Sequence, residues 1–269
     1  MQVQEYLDRI KYKGEPAADL NSLQELMKAH LLNVPFENLD IHWKTWITLD
    51  EEKIYTKIVQ HQRGGFCYEL NGSFQQLLIQ LGFDVQLIGA KVYHSDTKTY
   101  SPPTSHMALL VRLEQDTYLV DVGFGDFISE PFKINIESHS TGNHSSESYH
   151  TERCGKFRLT KPDAWYYLVE KYNEIQEVYL PEYIFSTAPL LLKDFSHSCY
   201  FQQLSPDSNF TKNKVCSLLT ETGRKTITQG KFIVNSNGIK TEQPIADEDV
   251  FHVLLQKEFN INRQAIALL

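Results

Sequence analysis

The 269-residue chain is poor in the features that would place it in several large classes. It has four cysteines, Cys67, Cys154, Cys199 and Cys216, widely scattered and without a CxxC pair, which argues against a disulfide framework and against the usual structural zinc spacing. No apolar run approaches the roughly 20 residues of a membrane-spanning helix; the longest, at 107–113 and 265–269, are far shorter. Basic charge is scarce: 26 Lys and Arg stand against 34 Asp and Glu, a formal net charge of -8, which disfavours nucleic acid and anionic membranes as partners. Glu5 and Asp8 occupy the stretch where a signal peptide needs a positive start and an apolar run, so the expected location is cytoplasmic. A GK[ST] phosphate loop, internal repeats and low-complexity linkers are also missing.

What is there is a chain apolar enough to bury a full core, at 41% hydrophobic residues. The first third has helical spacing. Leu23, Leu26, Met27, His30 and Leu31 form one face, with Asn21 or Ser22 available as cap; Ile54, Tyr55, Ile58 and Val59 form a second behind Asp50; Leu70, Phe74, Leu77, Leu78 and Leu81 form a third that starts at Cys67 and stops at Gly82. The text then changes to short β-rich runs, DVQLIGAKVY, HMALLVRL, TYLVDVGFG, KFRLT and WYYLVEKYNEIQEVYL, which predict an antiparallel sheet or barrel interrupted by a long exposed loop at 137–151. The last third predicts a helix over 190–200, strands over 225–234 and a closing helix from Asp247 with Val250, Phe251, Leu254 and Leu255 inward. These segments are expected to pack into one body.

Cys67 lies in RGGFCYELN, at the start of a predicted helix. Unpaired N–H groups and the partial positive charge of a helix start favour a thiolate and an oxyanion, and Gly64 and Gly65 are expected to leave room for a substrate at the sulfur. Buried free cysteines are common, so position alone does not decide the matter. A thiol with a free pKa of about 8.5 needs a base, and the base an orienting group. His106 opens one strand-like run and Asp121 lies in the next; neighbouring antiparallel strands can set both side chains on one face, with His106 pairing to Cys67 and Asp121 holding the other ring nitrogen. An Asp between Val120 and Val122 is costly to bury without such a partner.

With these residues in view, the sequence resembles the arylamine N-acetyltransferases. The resemblance rests on YLDRI (6–10), HLLNVPFENLD (30–40), RGGFCYELNG (63–72), SHMALLV (105–111), VDVGFG (120–125), SPDSNF (205–210) and GRKTIT (223–228), in that order. It implies a Cys67–His106–Asp121 triad and an α+β fold: an N-terminal helical bundle (1–83) carrying the cysteine, a central antiparallel β-barrel (84–189) carrying His and Asp, and a C-terminal α/β lid (190–269), with a papain-like site between the first two. The short connection between barrel and lid is similar to the bacterial branch.

The implied reaction is acetyl transfer from acetyl-CoA to an arylamine or arylhydrazine nitrogen, extending to O-acetylation of arylhydroxylamines, through an acetyl-Cys67 intermediate. Thioester exchange is nearly thermoneutral and amide formation is downhill. The backbone N–H groups of Cys67 and Tyr68 are the expected oxyanion donors. The resemblance further implies an Arg63–Glu37 supporting pair, although an ordinary surface pair contributes under about 1 kcal/mol. An aromatic-substrate pocket is expected from Phe36, Phe66, Tyr68 and Phe124, and coenzyme contacts from Ser105, Ser205, Ser208 and Lys212; Pro102-Pro103 falls in the loop lining the coenzyme cleft. No metal is expected: His139, His144, His150 and Cys154 lie in a Ser/Asn/Gly-rich run that reads as a solvated loop. The expected oligomeric state is a monomer or weak homodimer. Triad chemistry alone also serves hydrolases, and a non-catalytic ligand binder is a further alternative.

Overall fold

The computed structural model describes residues 1–134 and 147–262. The expectations for His139, His144, most of the 137–151 loop and the apolar stretch 265–269 fall outside the described residues. Its helical part begins with α1 (Val3–Arg9) and α2 (Leu20–Asn33). The cap of α2 is Asp19, not Asn21 or Ser22: its carboxylate accepts the Ser22 N–H at 2.8 Å, and Ser22 is already inside the helix. Leu23, Leu26, Met27 and His30 are buried and Leu31 sits at the edge of the stripe.

After α3 (Leu39–Trp43), α4 (Glu51–Tyr55) starts where expected, with the Asp50 side chain accepting from Lys53 N–H at 3.0 Å. A π-helical turn, Thr56–Gln60, continues it, and Ile54, Tyr55, Ile58 and Val59 are all buried. The longer α5 (Cys67–Gln80) buries Leu70, Phe74, Leu77 and Leu78; Leu81 is only partly covered.

Strand β1 (Phe36–Glu37) comes before the main sheet in sequence. That sheet contains β2 (Asp84–His94), β3 (Thr99–Tyr100), β4 (His106–Leu113), β5 (Asp116–Val120), β6 (Phe132–Ile134), β7 (Ser148–Glu152), β8 (Gly155–Thr160), β9 (Tyr167–Asn173) and β10 (Val178–Phe185). Its order is β6-β5-β4-β2-β10-β9-β8-β7, with β3 on β2, all antiparallel, and it curls into a nearly closed barrel. Part of the stretch expected to be loop, Ser148–Glu152, is therefore strand. Conversely, β5 ends at Val120, so Asp121 lies just beyond the strand in which it was expected.

The expected helix over 190–200 is a 3₁₀ turn, Leu192–Phe195, running into α6 (Ser196–Leu204), followed by α7 (Asn209–Lys212). A second sheet has the order β1-β11-β12-β13-β14, from β11 (Val215–Thr220), β12 (Gly223–Thr228), β13 (Lys231–Ser236) and β14 (Ile239–Pro244). Helix α8 (Glu248–Phe259) closes it, capped by Asp247. Because β1 comes from the helical segment and pairs with β11, the first and last thirds interlock through Phe36↔Ser217 and Glu37↔Cys216. One apolar core runs from Tyr6 to Cys199 through helices and barrel; a second, around Leu39, Cys216, Phe251 and Leu255, lies under the last sheet. Among the described residues no helix is long and apolar enough to cross a membrane.

Candidate active site

Cys67 is the first residue of α5 and is 3% exposed. The loop before it is held so tightly that Gly64 and Gly65 make room for the protein itself rather than for substrate. A Cβ on Gly64 would sit 1.9 Å from the Pro35 carbonyl oxygen, and one on Gly65 would sit 2.8 Å from the Glu69 side chain. Burial pushes the Cys67 thiol well up, and the Asp121 charge adds to this; the backbone N–H groups of Met107 and Tyr68 pull the other way. The helix start does not by itself produce a free thiolate here, because desolvation outweighs it.

His106 opens β4 and Asp121 follows β5, and the antiparallel register Leu109↔Val120 brings the two ends together. His106 Nε2 is 2.6 Å from Asp121 Oδ2, which leaves Nδ1 free of the carboxylate. Asp121 is fully buried and well satisfied: Oδ1 accepts from Asn71 Nδ2 at 3.0 Å and from Gly123 N–H at 2.9 Å, while the Tyr183 hydroxyl donates to Oδ2 at 3.2 Å. Asn71 also donates to the Met107 carbonyl at 2.6 Å and accepts the Val122 N–H at 2.9 Å. Sequence reasoning passed over both Asn71 and Tyr183. For Asn71 a signal existed, since it is a polar residue four positions after Cys67 on an otherwise buried helix face; for Tyr183, on β10, there was none.

The chain after Asp121 presses directly on Cys67: a Cβ on Gly123 would come within 2.7 Å of Cys67 Cα. Phe124 then meets the His106 ring edge-on at 4.9 Å and that of Tyr183 at 5.0 Å.

Cys67 and His106 open into a cleft of about 470 Å³. Of the expected pocket residues, Phe36 and Phe124 line it, and Ser105, Ser208 and Pro102 stand along the same wall. Phe66 and Tyr68 do not. Both are fully buried behind the wall, where Phe66 packs edge-on against Phe210 and the Tyr68 hydroxyl donates to the carbonyls of Thr104 and Ser105, at 3.0 Å each. Ser205 and Lys212 are also away from the cleft lining; the Ser205 hydroxyl instead accepts the Asp207 N–H at 3.2 Å, and Lys212 is exposed on α7. Phe201 and His197, which lie in no quoted motif, and Phe210, the last residue of SPDSNF, complete the lining. A larger hollow of about 640 Å³ between α1 and α8 contains none of the reactive groups and is lined by charges of both signs.

Below the Cys67 loop, Arg63 and Glu37 form a buried pair rather than a surface one, with Arg63 Nη2 and Nε at 2.6 and 3.0 Å from Glu37 Oε1. The pair extends to Asp40, 2.8 Å from Arg63, and through Lys57 to Glu69. Of the histidines and cysteine considered as metal ligands, His150 stacks on Phe132 and Cys154 is half-buried; among the described residues no group of three or more His, Cys, Asp or Glu is placed to hold a metal.

A family model described as N-acetyltransferase matches residues 19–267. An arylamine N-acetyltransferase of the chicken pineal gland is 32% identical over 284 residues, covering 97% of this chain and 94% of the relative. The chain belongs to the arylamine N-acetyltransferase family. The arylamine N-acetyltransferase of Escherichia coli is 29% identical, over 95% of this chain and 87% of its own. Among solved structures, the enzyme from Bacillus cereus, described as having a unique Cys-His-Glu catalytic triad, superposes with a TM-score of 0.86 at 25% identity, covering 97% of this chain and 100% of that one. The Salmonella typhimurium arylamine N-acetyltransferase gives 0.86 at 26% identity, covering 96% and 90%.

The arylamine N-acetyltransferase fold is thus α+β, as expected, and the chain is an acyltransferase that acetylates arylamines. Acetyl-CoA is the general donor of this family, and the cleft is of a size that takes a small aromatic ring or the thin end of a coenzyme chain.

Proposed function

We propose that the chain works by a ping-pong cycle through acetyl-Cys67. The observation that supports this is that Cys67 and His106 both open into the 470 Å³ cleft while buried Asp121 holds His106 Nε2 at 2.6 Å from behind. His106 Nδ1 takes the Cys67 proton, and the sulfur attacks the thioester carbonyl of acetyl-CoA. The C–S bond to the coenzyme breaks and His106 returns its proton to the departing thiolate. An arylamine or arylhydrazine nitrogen then attacks the acetyl-cysteine carbonyl, gives a proton to His106 and leaves with the acetyl group as Cys67 is released. Arylhydroxylamine oxygens enter the same step.

Asp121 fixes the ring through Nε2 and supports the imidazolium. Because burial opposes a lone thiolate, the sulfur ionises only as His106 becomes charged. The N–H groups of Cys67 and Tyr68 at the start of α5 serve the oxyanion. Phe36 and Phe124 seat the aromatic acceptor, and Ser105 and Ser208 lie on the coenzyme path. The segments 1–83, 84–189 and 190–269 act as nucleophile carrier, base carrier and lid. The reading includes a monomer or weak homodimer in the cytoplasm; the four free thiols are in keeping with a reducing compartment.

The test is intact-protein mass spectrometry after mixing with acetyl-CoA, followed by 4-anisidine or 5-aminosalicylate. A single acetyl group on Cys67 that leaves as acetylated amine supports the cycle. A reactive Cys67 that never gains the group sinks it.

A further inference from the structure

Glu69 is the third residue of α5, and its side chain turns back beneath the loop that carries the nucleophile. Its Oε2 accepts the N–H of Phe66, the residue immediately before Cys67, at 3.2 Å, and its Oε1 receives Lys57 Nζ at 2.7 Å. The loop is built around this carboxylate, since any side chain at Gly65 would collide with it. Lys57 is shared with Asp40 at 2.7 Å, Asp40 with Arg63 at 2.8 Å, and Arg63 with Glu37 at 2.6 Å.

Among the described residues, the groups that act on Glu69 are Lys57 from the π-helical turn, Asp40 from α3 and Glu37 from β1, with the Cys199 thiol on α6; Arg63 from the loop joins the set through Asp40 and Glu37. The buried set holds three carboxylates against two cations. One negative charge is in excess, and in a water-poor site that excess is relieved by a proton. Glu37 and Asp40 each bind Arg63, whereas Glu69 has only its share of Lys57 and one backbone N–H, so Glu69 is where the proton settles.

We propose that Glu69 is a positioning residue of the acetyl-transfer site, and that its ionisation sets how firmly the first turn of α5 presents Cys67. The inference rests on the reading of Cys67 as nucleophile. Ionised Glu69 grips the Phe66 N–H, anchors Lys57 and places negative charge at the third position of the helix, where the dipole favours it. Protonated Glu69 loses the charge-assisted part of all three contacts. Burial pushes this carboxyl up to about 7, which puts the change near neutrality.

The experiment compares wild type with Glu69→Gln between about pH 5.5 and 9, following alkylation of Cys67 by iodoacetamide and, separately, acetyl uptake from acetyl-CoA. The wild type is expected to gain rate through an inflection near 7 in both reactions. The glutamine variant should lose that inflection, matching wild type at the acid end and running roughly 3–10-fold slower at the alkaline end, about the effect of weakening one charge-assisted contact. The same inflection in the variant, or an equal loss at every pH, overturns the proposal. Should Glu69→Gln not fold, Lys57→Gln replaces it: removing the cation is expected to move the inflection to higher pH, and an unmoved inflection overturns the proposal. The two readings separate cleanly. An alkylation inflection without acetyl uptake supports the Glu69 proposal while the transfer cycle fails, and acetyl uptake without any such inflection does the reverse.

Discussion

Asn71 Nδ2 stands 3.0 Å from Asp121 Oδ1, so the helix that carries Cys67 also holds the carboxylate that faces His106. Asn71 lies four positions after Cys67, a little over one turn, and both side chains therefore point to the same side of α5. The amide ties helix to barrel at three points: Met107 O, Asp121 Oδ1 and Val122 N–H. Asn71→Ala removes all three contacts in a dry interior, leaving Asp121 Oδ1 with the Gly123 N–H alone. We expect a loss of about 2–4 kcal/mol in urea unfolding, together with turnover reduced about tenfold or more in the protein that remains folded.

Asp121 orients the ring through Oδ2. In Asp121→Asn the amide can present the wrong group to His106 Nε2, and a fall in turnover of about 10³–10⁴-fold is expected from comparable triads. Tyr183→Phe removes one donor from the same oxygen, 3.2 Å away, and should lower the rate about tenfold. Steady-state kinetics on both variants would show a near wild-type rate for Asp121→Asn if the carboxylate has no such role.

Cys67→Ala should give no acetylated protein and no transfer. Persistent acetylation of amines by that variant rules out the covalent route, since none of the other three thiols lines the cleft.

Gly123 lies against Cys67 Cα and the Asn71 amide with no space for a methyl group. The neighbours are backbone and a fixed amide, so they cannot move aside as a flexible side chain would. Gly123→Ala is expected to destabilise by about 1–3 kcal/mol and to impair acetyl uptake even well below its melting temperature. Thermal unfolding and acetylation rates measured on the same sample separate the two effects.

Glu182 sits beside a β-bulge on β10, and burial pushes its carboxyl up to about 7 while Lys171 pulls it down. The folded protein keeps a proton that the unfolded chain gives up above its ordinary value near 4.5, so the stability from this group is present at low pH and declines as pH rises toward 7. Glu182→Gln should therefore raise the melting temperature relative to wild type more at neutral pH than at pH near 5. An equal change at both pH values would remove Glu182 as the source.

The parts of the site legible in the sequence are those with local causes. Cys67 at a helix start was readable because the stripe Leu70, Phe74, Leu77, Leu78 has helical spacing, and His106 and Asp121 were readable because one opens an apolar run and the other interrupts the next, each with a group that needs a partner. Phe66 and Tyr68 were misplaced for a definite reason. Around the first residue of a helix, periodicity does not say which side chain turns outward, and here both turn inward against Phe210 and Phe195. Ser205 and Lys212 were assigned from motif text alone, and the fold uses the Ser205 hydroxyl to hold a turn.

The sequence by itself determined the helix faces, the cap at Asp50, the start of the closing helix near Asp247, the change from helical to strand periodicity and the order in which Cys67, His106 and Asp121 follow one another. All of these follow from interactions between residues a few positions apart. Only the tertiary structure decided that Tyr183 reaches Asp121 from 62 residues away, that Phe36–Glu37 joins the last sheet, and that Glu69 closes an ionic chain under the Cys67 loop. Those contacts depend on sheet register and on how helices seat against the barrel, and burial makes a polar contact there cost more to leave unmade than one at the surface.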